Sequence, residues 1–196
     1  MANYRASLGT LQALREQLSL RLAALLGGKP TVKLLGSQEL ATAPSGQALG
    51  VYLYRLAVDP FARNRYLAAA EGRKAPRPEL PVNLHVLIIG WSDSSEQEIA
   101  YLSAAMQVIG SSMSLDISHL GLANAGWGES DTVQIVPEEM STEDLTRLWD
   151  SLPSGYRLCV PYIIKTIRLA PDREPDEAPL VKTIVHPMDT AAEGTS

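Results

Sequence analysis

Six leucines near the start of the chain, Leu8, Leu11, Leu14, Leu18, Leu22 and Leu25, recur at spacings of three and four. On a helix these spacings draw one apolar stripe over residues 8–26, which Gly27-Gly28 and then Pro30 bring to an end. A stripe so continuous must be covered. Within one subunit a sheet would cover it; in an oligomer part of it can face a neighbour.

The segments that follow supply that sheet. Residues 31–35 read as a short strand and residues 37–50 as a loop. Over residues 50–56, Val51, Leu53 and Arg55 alternate with Tyr52, Tyr54 and Leu56, so the middle is apolar on both faces and expected to be covered on both, or to meet a partner on one. Residues 82–89 carry the strongest strand pattern, with Val82, Leu84, Val86 and Ile88 on one face, Asn83, His85, Leu87 and Ile89 on the other, and Trp91 at the end. Residues 132–136 form another strand, stopped by Pro137. Residues 156–169 form a long one in which Pro161 predicts an edge position or a bulge.

Two further helices complete the pattern. One starts near Asp93 or Ser95 as its cap, buries Ile99, Leu102, Met106 and Ile109, and stops at Gly110; residues 111–130 beyond it read as irregular. The other starts at Ser141 or Thr142, with Asp144 at the capping-box spacing, and packs Leu145, Leu148, Trp149 and Leu152. Helix, strands, helix, strand, helix, strand is not a run of βαβ units. It predicts a single α/β (α+β) domain with a mixed, mainly antiparallel sheet packed by helices, over residues 1–170.

Two segments stand outside that plan. Residues 59–81 hold Arg63, Arg65, Arg73, Lys74 and Arg77 with four prolines and no lasting apolar period, a long basic excursion in an otherwise acidic chain. Residues 171–196 begin as an acidic, Pro-rich linker, pass through a strand or arm at 180–185 containing Leu180, Val181, Ile184 and Val185, and end in a loose tail.

Chemistry is harder to find. His85, His119 and His186 fall in no metal motif, and a single cysteine, Cys159, in an apolar segment is expected to be an inert core residue. His85, mid-strand, is expected to be half-buried and hydrogen-bonded. Gly121, Gly126 and Gly128 around Trp127 lack the Lys-Ser/Thr pair of a phosphate loop, and no G-x-S-x-G elbow is present. Asp116, Glu129, Asp131, Glu138 and Glu139 offer carboxylates that no spacing converges. No catalytic, cofactor-binding or metal-binding residue is therefore expected. With 17 Lys and Arg against 22 Asp and Glu, the net charge of −5 repels phosphate backbones, leaving only the 63–77 region for nucleic acid. The longest strongly apolar run, residues 86–90, is far too short to span a bilayer, and Arg15, Glu16 and Arg21 interrupt any export signal, so synthesis in the cytoplasm is expected.

The ordered set Gly-Val-Tyr-Leu-Tyr-Arg (50–55), Arg-Asn-Arg (63–65) and Pro-Glu-Leu-Pro-Val-Asn-Leu-His-Val-Leu-Ile-Ile-Gly-Trp-Ser (78–92) resembles the N-terminal domain of the sixteenth-position cap proteins of Photorhabdus-type virulence cassettes and antifeeding prophages. The resemblance runs on through the helix at 96–109, the strand at 133–137, Ser-Thr-Glu-Asp-Leu-Thr-Arg-Leu-Trp (141–149) and Tyr-Arg-Leu-Cys-Val-Pro-Tyr (156–162), and covers residues 5–170. Residues 85–90 depart from the family's commoner aromatic and threonine pattern, and Pro161 is unusual for it.

The resemblance implies a fold like that of phage tail terminators and a homo-oligomeric, hexameric ring on the last layer of an inner tube and its contractile sheath, where it stops polymerisation. It brings no catalytic residues and no small-molecule substrate. Within it, Arg63, Arg65, Arg73, Lys74 and Arg77 become candidates for contacting sheath or tube, and Leu180, Val181, Ile184 and Val185 for strand addition to a neighbour. Another structural or adaptor role in the same particle, at the baseplate or on the sheath, is the alternative. Assembly is expected in the cytoplasm, with the particle either retained or released.

Overall fold

The longest strand organises everything else. The computed structural model describes residues 2–28, 30–41, 46, 48–62, 79–112, 114–115 and 133–170. Its elements are α1 (Ala6–Leu26), β1 (Thr31–Leu35), a 3-10 turn (Glu39–Ala41), β2 (Ala48–Val58), β3 (Leu80–Trp91), α2 (Ser95–Ser111), β4 (Ser114–Leu115), β5 (Val133–Pro137), α3 (Thr142–Asp150) and β6 (Cys159–Leu169). The strands join in the order β1-β2-β3-β6-β5-β4. Among the described strands only β1 and β2 pair in parallel; the other strand pairs are antiparallel, giving the mixed, mainly antiparallel sheet that the pattern predicts.

Alternation along β3 divides the core between the two faces. Val82, Leu84, Val86 and Ile88 pack with Val51, Ile135 and Ile164 beneath α1 and α2. On the opposite face Leu87, Ile89 and Trp91 pack with Leu35, Leu40, Tyr52 and Cys159 against Trp149 of α3. Each fully buried side chain of this size is worth about 1.5–3 kcal/mol of transfer free energy.

Several expectations are corrected by this packing. Along α1, Leu11, Leu14, Leu18 and Leu22 are buried, but Leu8 and Leu25 are half-exposed. The first turns of α1 instead bury Ala6, Gly9, Thr10 and Ala13, small residues that favour close approach, while no residue after Leu22 is buried. In α2 the buried set is Leu102, Ala104, Ala105, Val108 and Ile109, whereas Ile99 and Met106 face outward. The helix lies so near β3 that a Cβ at Gly90 would come within 2.8 Å of Glu98 Cγ and 3.2 Å of Leu102. The α2 N-cap is Ser94, without a side-chain cap bond, rather than Asp93 or Ser95, and Gly110 does not stop the helix, which runs to Ser111.

Pro161 is neither on an edge nor at a bulge. β6 lies between β3 and β5. Its carbonyl accepts from the Glu138 N–H at 3.0 Å, just past the last β5 pair, Pro137 with Tyr162. A strand residue directs its nitrogen and carbonyl to the same side, so the missing donor of Pro161 falls where the ladder is ending anyway. The strand also begins later than expected, at Cys159 rather than at residue 156. The α3 start is as predicted: Ser141 Oγ accepts the Asp144 N–H at 3.1 Å and donates to Asp144 Oδ2 at 2.7 Å.

Candidate functional site

The described residues from which both expected interface segments depart lie at one end of the sheet. β2 closes at Val58, opposite Val82 of β3, which is itself opposite Ile167 of β6; Leu80 is opposite Leu169. From that end the 63–78 excursion departs after Ala62 and the chain beyond Ala170 leaves β6. The start of the chain comes to the same place, with Ala2 bridged to Leu169 and the Ala170 N–H donated to the Ala2 carbonyl at 2.8 Å. Arg63, Arg65, Arg73, Lys74 and Arg77 lie outside the described residues, as do Leu180, Val181, Ile184 and Val185, so what is fixed is where their segments begin.

The stem of the basic excursion is tied down. The Asp59 N–H donates to the Pro81 carbonyl at 2.9 Å, pinning the outgoing and returning strands together. Asp59 Oδ1 accepts the N–H groups of Phe61 at 3.0 Å and Ala62 at 3.1 Å. These bonds, that from Ala62 foremost, hold the Asp59 carboxyl below its usual range, with help from the Asn83 side chain and the Lys165 charge. Exposed apolar side chains border this stem: Phe61 is 85% exposed, Leu56 57%, Val58 44% and Leu80 43%. Single exposed apolar residues need no explanation, but several at one end of a sheet suit a contact surface.

A second feature went unread in the sequence. β2 carries a bulge between Leu53 and Arg55, which turns out Tyr54. Its hydroxyl donates to Glu138 Oε2, and His85 Nδ1 donates to Glu138 Oε1 at 2.8 Å. The Tyr54 and His85 rings meet edge to face at 5.9 Å. Burial, then the hydrogen bond and charge of Glu138, push the Tyr54 phenol above its usual range, with Arg55 opposing. It is therefore a neutral donor at physiological pH. The trio ties β2, β3 and the end of β5 together, as the expected hydrogen-bonded role of His85 requires. It offers a brace rather than a nucleophile.

Cys159 has the inert setting its sequence context predicts. Its thiol is pushed up by burial, and Sγ accepts the Trp149 Nε1–H at 3.3 Å. Among the described residues no three His, Cys, Asp or Glu side chains are grouped to hold a metal ion, and no helix is long and apolar enough to cross a membrane.

The described residues thus form a helix-backed, mainly antiparallel sheet with both candidate segments attached at one end. The family comparison agrees: the Pvc16 N-terminal domain model matches residues 9–183, and the chain belongs to that family. Two cryo-EM structures are similar to it. One is the sheath/tube terminator of an extracellular contractile injection system, PVC, in its extended state, with a TM-score of 0.60 and 21% identity over 96% of this chain and 64% of that one. The other is the anti-feeding prophage cap, a tube-terminating cap, with a TM-score of 0.59 and 19% identity over 90% of this chain and 59% of that one. The chain thus spans about three fifths of the length of these structures. No curated protein matches the sequence.

Proposed function

We propose that this chain is a tail terminator of a contractile injection system, which closes into a ring, expected to be hexameric, on the last layer of inner tube and sheath and so ends polymerisation. The observation that carries this reading is the likeness of nearly the whole chain to a sheath/tube terminator and a tube-terminating cap, within the family that both sequence and fold indicate. The role is structural, acting through protein contacts. Arg63, Arg65, Arg73, Lys74 and Arg77 would pair with acidic groups on the terminal layer. Each exposed pair contributes only about 0.2–1 kcal/mol, but a closed ring presents every pair several times, and the sum decides attachment.

The direct test adds the purified protein to polymerising tube and sheath subunits and measures particle lengths by electron microscopy. Defined lengths with density at one end are expected with the protein present, and overlong or open-ended polymers without it. Identical length distributions in the two samples would refute the assignment. Replacing all five basic residues with Ser should leave the core folded and lower end occupancy; normal capping by that variant would remove the loop from the interface.

A further inference from the structure

α3 packs one flank on the sheet and turns the other to solvent. Trp149 is buried and Leu145 and Leu148 are half-buried against the second core, while Glu143, Asp144, Arg147 and Asp150 are exposed. With Glu139 just before the helix, the outer side offers four carboxylates and one cation, Arg147, which Glu143 already holds. An acidic helix flank alone needs no partner. What points to one here is the remainder of the sheet face that α3 sits on.

Away from α3 that face has the opposite charge. His85 alternates with Leu87 and Ile89, so its ladder neighbours Arg55 and Ile163 share the face, as do Val136, Gln134 and Lys165. Arg55, Gln134 and Lys165 are exposed, and Ile163 and Val136 are half-buried between them. Two carboxylates beside this area are engaged within the subunit. Glu138 accepts from Tyr54 and His85, and Asp59 accepts the N–H groups of Phe61 and Ala62. Arg168, opposite Pro81, and Glu79 stand at the far border with opposite charges. The exposed charge inside these borders is that of Arg55 and Lys165.

We infer that free subunits pair face to face about a two-fold axis, the acidic flank of α3 in each lying on the Arg55–Lys165 area of the other. The occupant is a second copy because one face carries both charges side by side. The acidic helix packs toward the Trp91 end of the strands and the cations lie toward the other. Turning a second copy over, about an axis between the two faces and across the strands, sets each charge on its complement at once and makes every contact twice. Height matches as well: α3 raises its half of the face by a helix diameter, about 10 Å, above the exposed cations. At a net charge of −5 each, two copies repel on average, so the attraction is local and the dimer weak and reversible. Its two-fold axis closes it, so this pairing cannot propagate. It is distinct from any ring contact and does not rest on the terminator reading.

Sedimentation velocity of the full chain, without tube or sheath subunits, should show a reversible monomer–dimer equilibrium. Arg55→Glu with Lys165→Glu should weaken it roughly tenfold or more, and so should Glu139→Lys with Asp150→Lys. The second pair spares the Asp144 cap and the Glu143–Arg147 contact. Circular dichroism checks that each variant is folded; where the reversed pair is not, Arg55→Gln with Lys165→Gln should still weaken the dimer. Mixing the two reversed proteins, or combining all four changes in one chain, restores opposite charges across the contact and should recover the dimer. A wild-type chain that stays monomeric at its highest soluble concentration would overturn the proposal. So would an assembly other than a dimer, a dimer indifferent to either reversal, or no recovery in the combined chain. A monomeric chain that still limits particle length would remove this pairing and leave the terminator assignment standing; a charge-dependent dimer that fails to limit length would do the reverse.

Discussion

Replacing Gly50 with Ala tests how tightly the second core is assembled. Gly50 sits in β2 opposite Ile89, and a Cβ added there would lie 2.4 Å from Leu35 Cδ1 and 2.6 Å from Trp91 Cζ3. Ordinary carbon contacts are about 3.5–4.0 Å, so both neighbours must retreat by about 1 Å. Leu35 can turn its terminal methyl, but Trp91 is a rigid ring only 3% exposed and has little room. Overpacking of this kind costs about 1–3 kcal/mol. Removing a glycine from a strand returns roughly 0.5–1 kcal/mol through the unfolded chain. A net loss of about 1–2 kcal/mol follows, which lowers Tm by roughly 2–8 °C in a chain of this size. Thermal melts followed by circular dichroism measure it. Adding Leu35→Ala to Gly50→Ala should cost less than the sum of the two single changes, since it vacates the contact made by the new methyl. An unchanged or raised Tm for Gly50→Ala, or strict additivity in the double variant, would refute the packing argument.

Other consequences can be measured with the same protein. Glu138→Ala leaves the Tyr54 hydroxyl and His85 Nδ1 without their acceptor, and should lower the urea unfolding free energy by about 1–3 kcal/mol. Ser141→Ala removes the α3 cap and should cost about 1 kcal/mol in the same assay. Tyr54, Tyr162 and Cys159 all have raised pKa values in the fold, chiefly through burial, so their contribution is complete below the unfolded values of about 8.5 for Cys and 10 for Tyr and is lost as pH rises beyond them. The urea midpoint should therefore hold from neutrality to mildly alkaline pH and fall above about pH 10; a midpoint that rises there would reverse the sign of the argument. Met106→Gln, on the outer side of α2, should change stability by less than about 0.5 kcal/mol, whereas Leu102→Ala should cost about 2–5 kcal/mol.

Period and punctuation made the element order legible: alternation made β3 the strongest strand of the sequence, and Ser141 with Asp144 at the capping-box spacing marked the start of α3. What remained hidden was long-range. The stripe Ile99, Leu102, Met106, Ile109 has good helical spacing, but which flank of α2 is buried depends on how closely it approaches Gly90, a contact with no local signature. Likewise Pro161 argued for an edge because its missing N–H is evident in sequence, while the early end of β5 that makes this harmless is not. The brace of Tyr54, His85 and Glu138 joins residues 53 and 84 positions apart through a bulge, and nothing in the neighbourhood of Glu138 distinguishes it from Glu139. For the two candidate interface segments, charge and composition marked them in the sequence; their shared departure from one end of the sheet required the fold.

The position of β6 also decides how the subunit bears load. Chain beyond Ala170 is attached to an interior strand, flanked by β3 along most of its length and by Ala2 and β5 on the other side. A pull on that chain along the strand axis is carried by many ladder bonds strained together in shear, whereas a pull on an edge strand would peel them one at a time. Rupture under force follows the unfolding barrier rather than the equilibrium free energy. In the proposed terminator role, a subunit pulled through this strand should resist an abrupt load even with ordinary thermodynamic stability.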